Sequence, residues 1–116
     1  MIKTALLCLA LTVYFEARGE PEHGQYAVAE VVMNRVEQRD ATVCSIVYAP
    51  NQFMWTKHYN GVLPKNDDWL QSVNVANDVI NGNRTNYSQG AMYFRHKSLK
   101  TNKIKVKTII GGHIFY

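Results

Sequence analysis

The sequence predicts an α+β domain, with N-terminal helices followed by a small antiparallel β-sheet. Three observations carry this prediction. Apolar residues recur at helical spacing in separate segments up to Ile80. Three strand-like runs, 91–95, 103–110 and 113–116, then close the chain, and Gly111-Gly112 gives the last two the spacing of a two-residue hairpin. Helix signals come first and strand signals last without alternation, which favours α+β over a parallel α/β layout.

The first helix is expected from Ile2 to Ala17, where Leu6, Leu9 and Val13 share a stripe and Glu16 comes next on it. Lys3 before the apolar stretch Ala5 to Val13 also has the layout of an export leader, but no A-x-A site follows. The run is far shorter than the roughly 20 residues that span a bilayer. It therefore reads as a helix of the domain, without stable membrane insertion. Arg18-Gly19-Glu20-Pro21 breaks it, because Gly19 can turn left-handed and Pro21 suits the start of a second helix.

The second helix, Glu22 to Glu37, places Val28, Val31, Val32, Arg35 and Val36 on one stripe. A short helix from Thr42 to Tyr48 follows, with Thr42 as its cap. Pro50 to Asn66 reads as a long irregular stretch carrying Gln52, Phe53, Trp55, His58 and Tyr59, the composition of a substrate wall. The third long helix begins with Asp67 or Asp68 as cap and runs through Trp69, Val73 and Ala76 to Ile80, where Asn81-Gly82-Asn83 stops it.

At 116 residues and 47% hydrophobic content, with no repeat or linker, the chain reads as one domain, 1–116, that holds both binding and chemistry. A monomer is expected. The net charge of +4 suits an anionic polymer such as cell-wall glycan with its acidic peptides. Nucleic acid is disfavoured, since the basic residues are scattered before Lys97 and no phosphate loop or helix-turn-helix accompanies them. Cys8 and Cys44 are too few for a disulfide scaffold and read either as one bridge or as two buried thiols.

Glu16 is the candidate catalytic residue. A carboxyl at the end of a buried helix is desolvated, which raises its pKa toward the range useful to a general acid, and glycoside cleavage needs a proton donor at the leaving oxygen. A structural glutamate paired with Arg18 or Arg35 is the competing interpretation. The block Tyr14-Phe15-Glu16-Ala17-Arg18-Gly19-Glu20-Pro21, with Gly24-Gln25 and Ala27 to Val36 after it, resembles the spore-cortex-lytic family of cell-wall hydrolases. So do Val43-Cys44, Val47-Tyr48, Gln52-Phe53 with Trp55, Gly90-Ala91 with Tyr93, and the ending Gly112 to Tyr116.

That resemblance implies a small lysozyme-like fold and peptidoglycan cleavage between N-acetylmuramic acid and N-acetylglucosamine, with Glu16 catalytic and no cofactor. A lytic transglycosylase requires one carboxyl group and leaves 1,6-anhydro-muramic ends. A muramidase or glucosaminidase requires a second carboxylate, for which Glu20 is the nearest candidate and Asp67 and Asp68 come next. Glu20, Arg18, Gln52, Trp55, Tyr93 and His113 are the expected substrate contacts, through charge, hydrogen bonding or stacking on sugar rings. Each also has a purely structural interpretation.

A zinc amidase is disfavoured, because His23, His58, His96 and His113 form no H-E-x-x-H or H-x-H pair. A non-catalytic glycan-binding or virion protein is the rival from another class. Action at the wall, in periplasm or outside the cell, is expected, with a cytoplasmic wait before release if the chain is a phage endolysin.

Overall fold

A computed structural model describes residues 4–83 and 85–116. The expected helix start at Ile2 and Lys3 lies outside the described residues. Within them, α1 spans Ala5–Ala17, with the Thr4 hydroxyl accepting the Leu7 N–H at 3.1 Å as its cap. From Cys8 to Tyr14 every side chain of α1 is buried, and so is Ala17. An apolar helix without a polar face is stable in water only when other elements cover it. Here α2 (Glu22–Arg39), α3 (Val43–Val47) and α5 (Asp67–Ile80) do so.

Cys8 and Cys44 are joined by a disulfide with Cα atoms 5.4 Å apart, resolving the two readings in favour of a bridge. It fastens α1 to α3. That short helix has a full capping box, with Thr42 Oγ1 accepting the Ser45 N–H and the Ser45 hydroxyl accepting the Thr42 N–H. On the other flank, Tyr26 of α2 donates to Asp78 of α5 at 2.5 Å, and this bond, with burial, pushes the phenol pKa up to about 12.

Besides α2, which runs on to Arg39 rather than stopping at Glu37, three features differ from the sequence reading. Helix α5 is capped by Asn66, whose side chain accepts the Trp69 N–H at 2.8 Å, while Asp67 and Asp68 sit in the first turn and favour its positive end. The stretch expected to be irregular contains a short helix, α4 (Trp55–His58). The sheet is also smaller than the strand-like runs suggested: β1 is Phe94–His96, β2 Thr108–Ile110 and β3 His113–Phe115, in the order β1-β3-β2 and antiparallel throughout. Between Lys103 and Lys107 the alternation leaves Ile104 and Val106 half-buried, but no strand pairs with them. Alternation records which face is covered; a ladder also needs a partner.

The sheet is mounted on α2, where Ala27, Val28 and Val31 pack with Ala91 and Phe115. A buried carboxylate completes the mounting. Glu30, 1% exposed, accepts from the Thr85, Asn86 and Ser88 N–H groups and from the Thr85 hydroxyl, at 2.9 to 3.2 Å. No helix among the described residues is long and apolar enough to cross a membrane.

The disulfide yields the first prediction. Thiol titration of unreduced, denatured protein should find no free cysteine, and replacing both cysteines by alanine should lower stability by about 2 to 5 kcal/mol in denaturant unfolding. Two titratable thiols in protein folded under oxidising conditions contradict the bridge.

Candidate active site

Helix α1 ends because Gly19 takes a left-handed conformation, φ +80°. This leaves Glu16 in the last turn, half-buried. Its pKa is raised by burial, and among the described residues its carboxyl has no hydrogen-bond or ion-pair partner. The expected competitors for it are engaged elsewhere. The Arg18 guanidinium lies over the Tyr14 ring at 4.6 Å, and Arg35 donates through Nε to the Met92 carbonyl at 2.6 Å. A carboxyl that is desolvated and unpaired holds its proton to higher pH than a free one.

Glu20, four residues on, has a different environment. Its Oε1 accepts the Gly112 N–H at 2.7 Å, which ties the α1–α2 turn to the β2–β3 turn. The two turns interlock closely: a Cβ at Gly111, whose φ is +55°, would stand 2.5 Å from Glu20 Oε1 and 2.7 Å from Pro21 Cδ. Gln25 of α2 braces the same turn, donating to the Glu20 carbonyl at 3.0 Å. His113 Nδ1 lies 3.8 Å from Glu20 Oε1 and has no hydrogen-bond partner. Burial lowers the His113 pKa, Glu20 opposes that shift, and His96 adds to it. The ring is therefore neutral at neutral pH, and the 3.8 Å approach is a polar contact rather than an ion pair.

The remaining expected contacts fall into two further groups. Gln52 and Tyr93 meet at Arg35, which donates to Gln52 Oε1 at 3.3 Å and lies 4.9 Å from the Tyr93 ring centre. Tyr93 is 41% exposed and stacks on Tyr116 with centroids 5.6 Å apart. Trp55 and Arg18 instead line a cavity of about 390 Å³ between the end of α1 and the segment from Trp55 to Val62. Trp55 is 9% exposed, its face stacked on Phe15 at 5.2 Å. Glu16 is not among that cavity's lining residues. At about 100° per residue it points to the other side of α1 from Tyr14, Phe15 and Arg18.

The structure thus gathers Glu20 with His113 beside the helix end that carries Glu16. It separates them from Gln52 and Tyr93 at Arg35, and from Arg18 and Trp55 at the cavity. Sequence reasoning did not single out Arg35 as an organiser or Glu30 as an anchor, whereas Trp55, His58 and Tyr59, read from the sequence as a wall, do line the cavity. Arg35 lay within a core stripe, a position at which a long cation had to be reaching a polar partner. The histidines are not gathered into a ligand set: among the described residues no three His, Cys, Asp or Glu side chains are placed to hold a metal ion.

A helix-first α+β domain with an unpaired acid at the end of its central helix is the class the geometry defines. The family model described as cell wall hydrolase matches residues 19–116, and the chain belongs to that family. The matched segment begins just after Glu16 and Arg18. The spore cortex-lytic enzyme of Oceanobacillus iheyensis is 34% identical over 114 residues, covering 92% of this chain and 39% of the relative. That of Bacillus subtilis is 32% identical, covering 92% and 35%. The chain therefore spans about two-fifths of the length of these relatives. The catalytic domain of the Bacillus cereus SleB protein superposes with a TM-score of 0.79 at 31% identity, over 96% of this chain and 88% of that one. The lysozyme-like, helix-first arrangement expected from the sequence agrees with this match.

Two predictions follow from the geometry. Because the folded pKa of Glu16 lies above its unfolded value, its contribution favours folding below the ordinary carboxylate range and is lost as pH rises through the folded pKa. Glu16→Gln should therefore be more stable than the parent at pH 7, with the advantage vanishing below about pH 4; urea unfolding at both pH values reads this directly, and equal stability at pH 7 contradicts it. Gly111→Ala should lose roughly 1 to 3 kcal/mol, because the added methyl meets Glu20 and Pro21 at positive φ.

Proposed function

We propose that the protein cleaves the glycan strands of peptidoglycan, with Glu16 as the acid that protonates the glycosidic oxygen. The observation that carries this reading is the Glu16 carboxyl itself: half-buried, raised in pKa and without a partner among the described residues. A group in that state keeps a transferable proton and has no internal acceptor to divert it. Membership of the cell wall hydrolase family and the likeness to spore cortex-lytic enzymes support the polymer as substrate.

The mechanism we favour is lytic transglycosylation between N-acetylmuramic acid and N-acetylglucosamine. Glu16 donates its proton as the C1–O bond breaks. The resulting carboxylate then accepts the proton of the muramic C6 hydroxyl as that oxygen bonds to C1. The environment of Glu20 supports this choice over hydrolysis. Its Oε1 is committed to the Gly112 N–H and its backbone carbonyl to Gln25, the arrangement of a positioning residue rather than a nucleophile or base. An oriented internal hydroxyl reacts as though present at roughly 10⁵ M or more, well above the concentration of water. His113 and Tyr93 are assigned to substrate contact at the sheet, and Gln52 to the same region through Arg35. The disulfide suits action in the wall, outside the reducing cytoplasm.

The test is product analysis on purified cell walls. The parent protein should release anhydro-muramic ends, one water lighter than hydrolytic products, with no ¹⁸O uptake from labelled water. Folded Glu16→Gln should lose at least about a hundredfold in lytic rate. Labelled reducing ends assign a hydrolytic muramidase or glucosaminidase instead. Undiminished lysis by folded Glu16→Gln removes Glu16 from the reaction, and no lysis by the parent leaves the non-catalytic glycan-binding reading.

A further inference from the structure

The cavity between α1 and the Trp55–Val62 segment lies on the side of α1 away from Glu16, and the cleavage step does not use it. Its polar equipment is one-sided. The Arg18 guanidinium at its edge is held over the Tyr14 ring and has no acidic partner among the described residues. Trp55 Nε1, which can only donate, is buried without a partner, and so is the Tyr59 hydroxyl. Burial raises the Tyr59 pKa, so its O–H stays intact at any physiological pH. Asn60 spends its Oδ1 on the Val62 N–H at 2.9 Å, which leaves its NH₂ to face outward. No Asp or Glu lines the cavity.

A pocket lined by a guanidinium, the His58 imidazole and several N–H and O–H groups, with no carboxylate, calls for an anionic ligand rich in acceptors. The remaining wall is aromatic, and at about 390 Å³ the space is much larger than a lone carboxylate requires. The ligand must therefore carry a small apolar body behind its charge. An uncharged sugar ring leaves the guanidinium unmatched.

We infer that this cavity binds the carboxylate end of a short peptide, so that the enzyme holds the wall polymer by its peptide as well as by its glycan. The inference rests on peptidoglycan as the substrate and adds a second point of attachment. Arg18 takes the carboxylate, His58 and the Asn60 amide stand at the same wall, and Phe15 with Trp55 provides the apolar side.

The test is a nitrogen-15 NMR titration of folded Glu16→Gln protein, in which no turnover occurs, observing the two indole N–H signals. The probes are L-alanyl-γ-D-glutamyl-L-lysyl-D-alanine, the same peptide with its carboxylates amidated, and tri-N-acetylchitotriose. The free-acid peptide should move the Trp55 signal with saturation and leave Trp69, which does not line the cavity, in place. The amidated peptide should bind at least about tenfold more weakly, and Arg18→Gln should cost the free-acid peptide roughly tenfold to a hundredfold. No Trp55 response to the free acid, an equal response to the amide, or a response to the chitotriose alone overturns the inference; the last makes the cavity a sugar subsite. Binding with absent wall cleavage would instead leave this site standing and remove the catalytic reading, so the two failures are distinguishable.

Discussion

The burial of α1 is the constraint on which the rest of the structure depends. A helix that is apolar nearly all round cannot lie on a surface, so α2, α3 and α5 are arranged to cover it, and the disulfide fixes α3 against its N-terminal half. The same burial sets the state of Glu16. Helix α1 is buried from Cys8 to Tyr14, and half-buried Glu16 lies in its last turn, where water is partly excluded and no donor among the described residues replaces it. Desolvation thus has one sign for the side chains of Leu9 and Val13, which it stabilises, and the opposite sign for the charged form of Glu16. Under the proposed function, stability and reactivity conflict at that residue, as they do wherever a site must hold a group in an unfavourable state.

Under the proposed cleavage, an acid at the helix end needs a surface opposite it that presents the glycosidic oxygen. The β2–β3 turn is set against the α1–α2 turn, and a few polar contacts fix its position there. Gly111 and Gly112 approach the α1–α2 turn so closely that only glycine fits the first position, and the Glu20–Gly112 hydrogen bond sets the distance between them. Three-residue strands provide few ladder bonds of their own. The hairpin's attachment to the helix end therefore depends on side chains outside the sheet, Glu20 at one edge and the Phe115 packing on α2 at the other.

Much of this was legible in the sequence, and the unread parts have physical reasons. The long helices and the Gly-Gly turn announced themselves because periodicity and turn chemistry are local properties. The α5 boundary shifted by one residue, since Asn66, Asp67 and Asp68 are all competent caps and only backbone geometry selects among them. The 103–107 run looked like a strand because alternation reports burial of one face, whereas pairing depends on whether another strand lies alongside. The cavity was the least legible feature. Its walls come from two segments some 40 residues apart, and its character depends on which donors are left over after local bonds form, which no spacing rule encodes.

Three glutamates show how the fold assigns roles to identical side chains. Glu30 receives four donors, all from residues 55 to 58 positions later, and becomes an anchor for the loop that leads into β1. Glu20 receives one N–H from 92 positions later and stands near a neutral histidine, which makes it a brace between two turns. Glu16 receives none among the described residues. Glu30 and Glu20 are thus engaged by donors from elsewhere in the fold, whereas Glu16 is desolvated without one, and burial raises its pKa. The donors arrive from the far end of the chain, so tertiary structure decides which glutamate is left without one, even though the position of Glu16 at the end of an apolar helix is visible in the sequence. A substitution that brought a single donor to Glu16 would favour its charged form and oppose the upward shift that burial imposes.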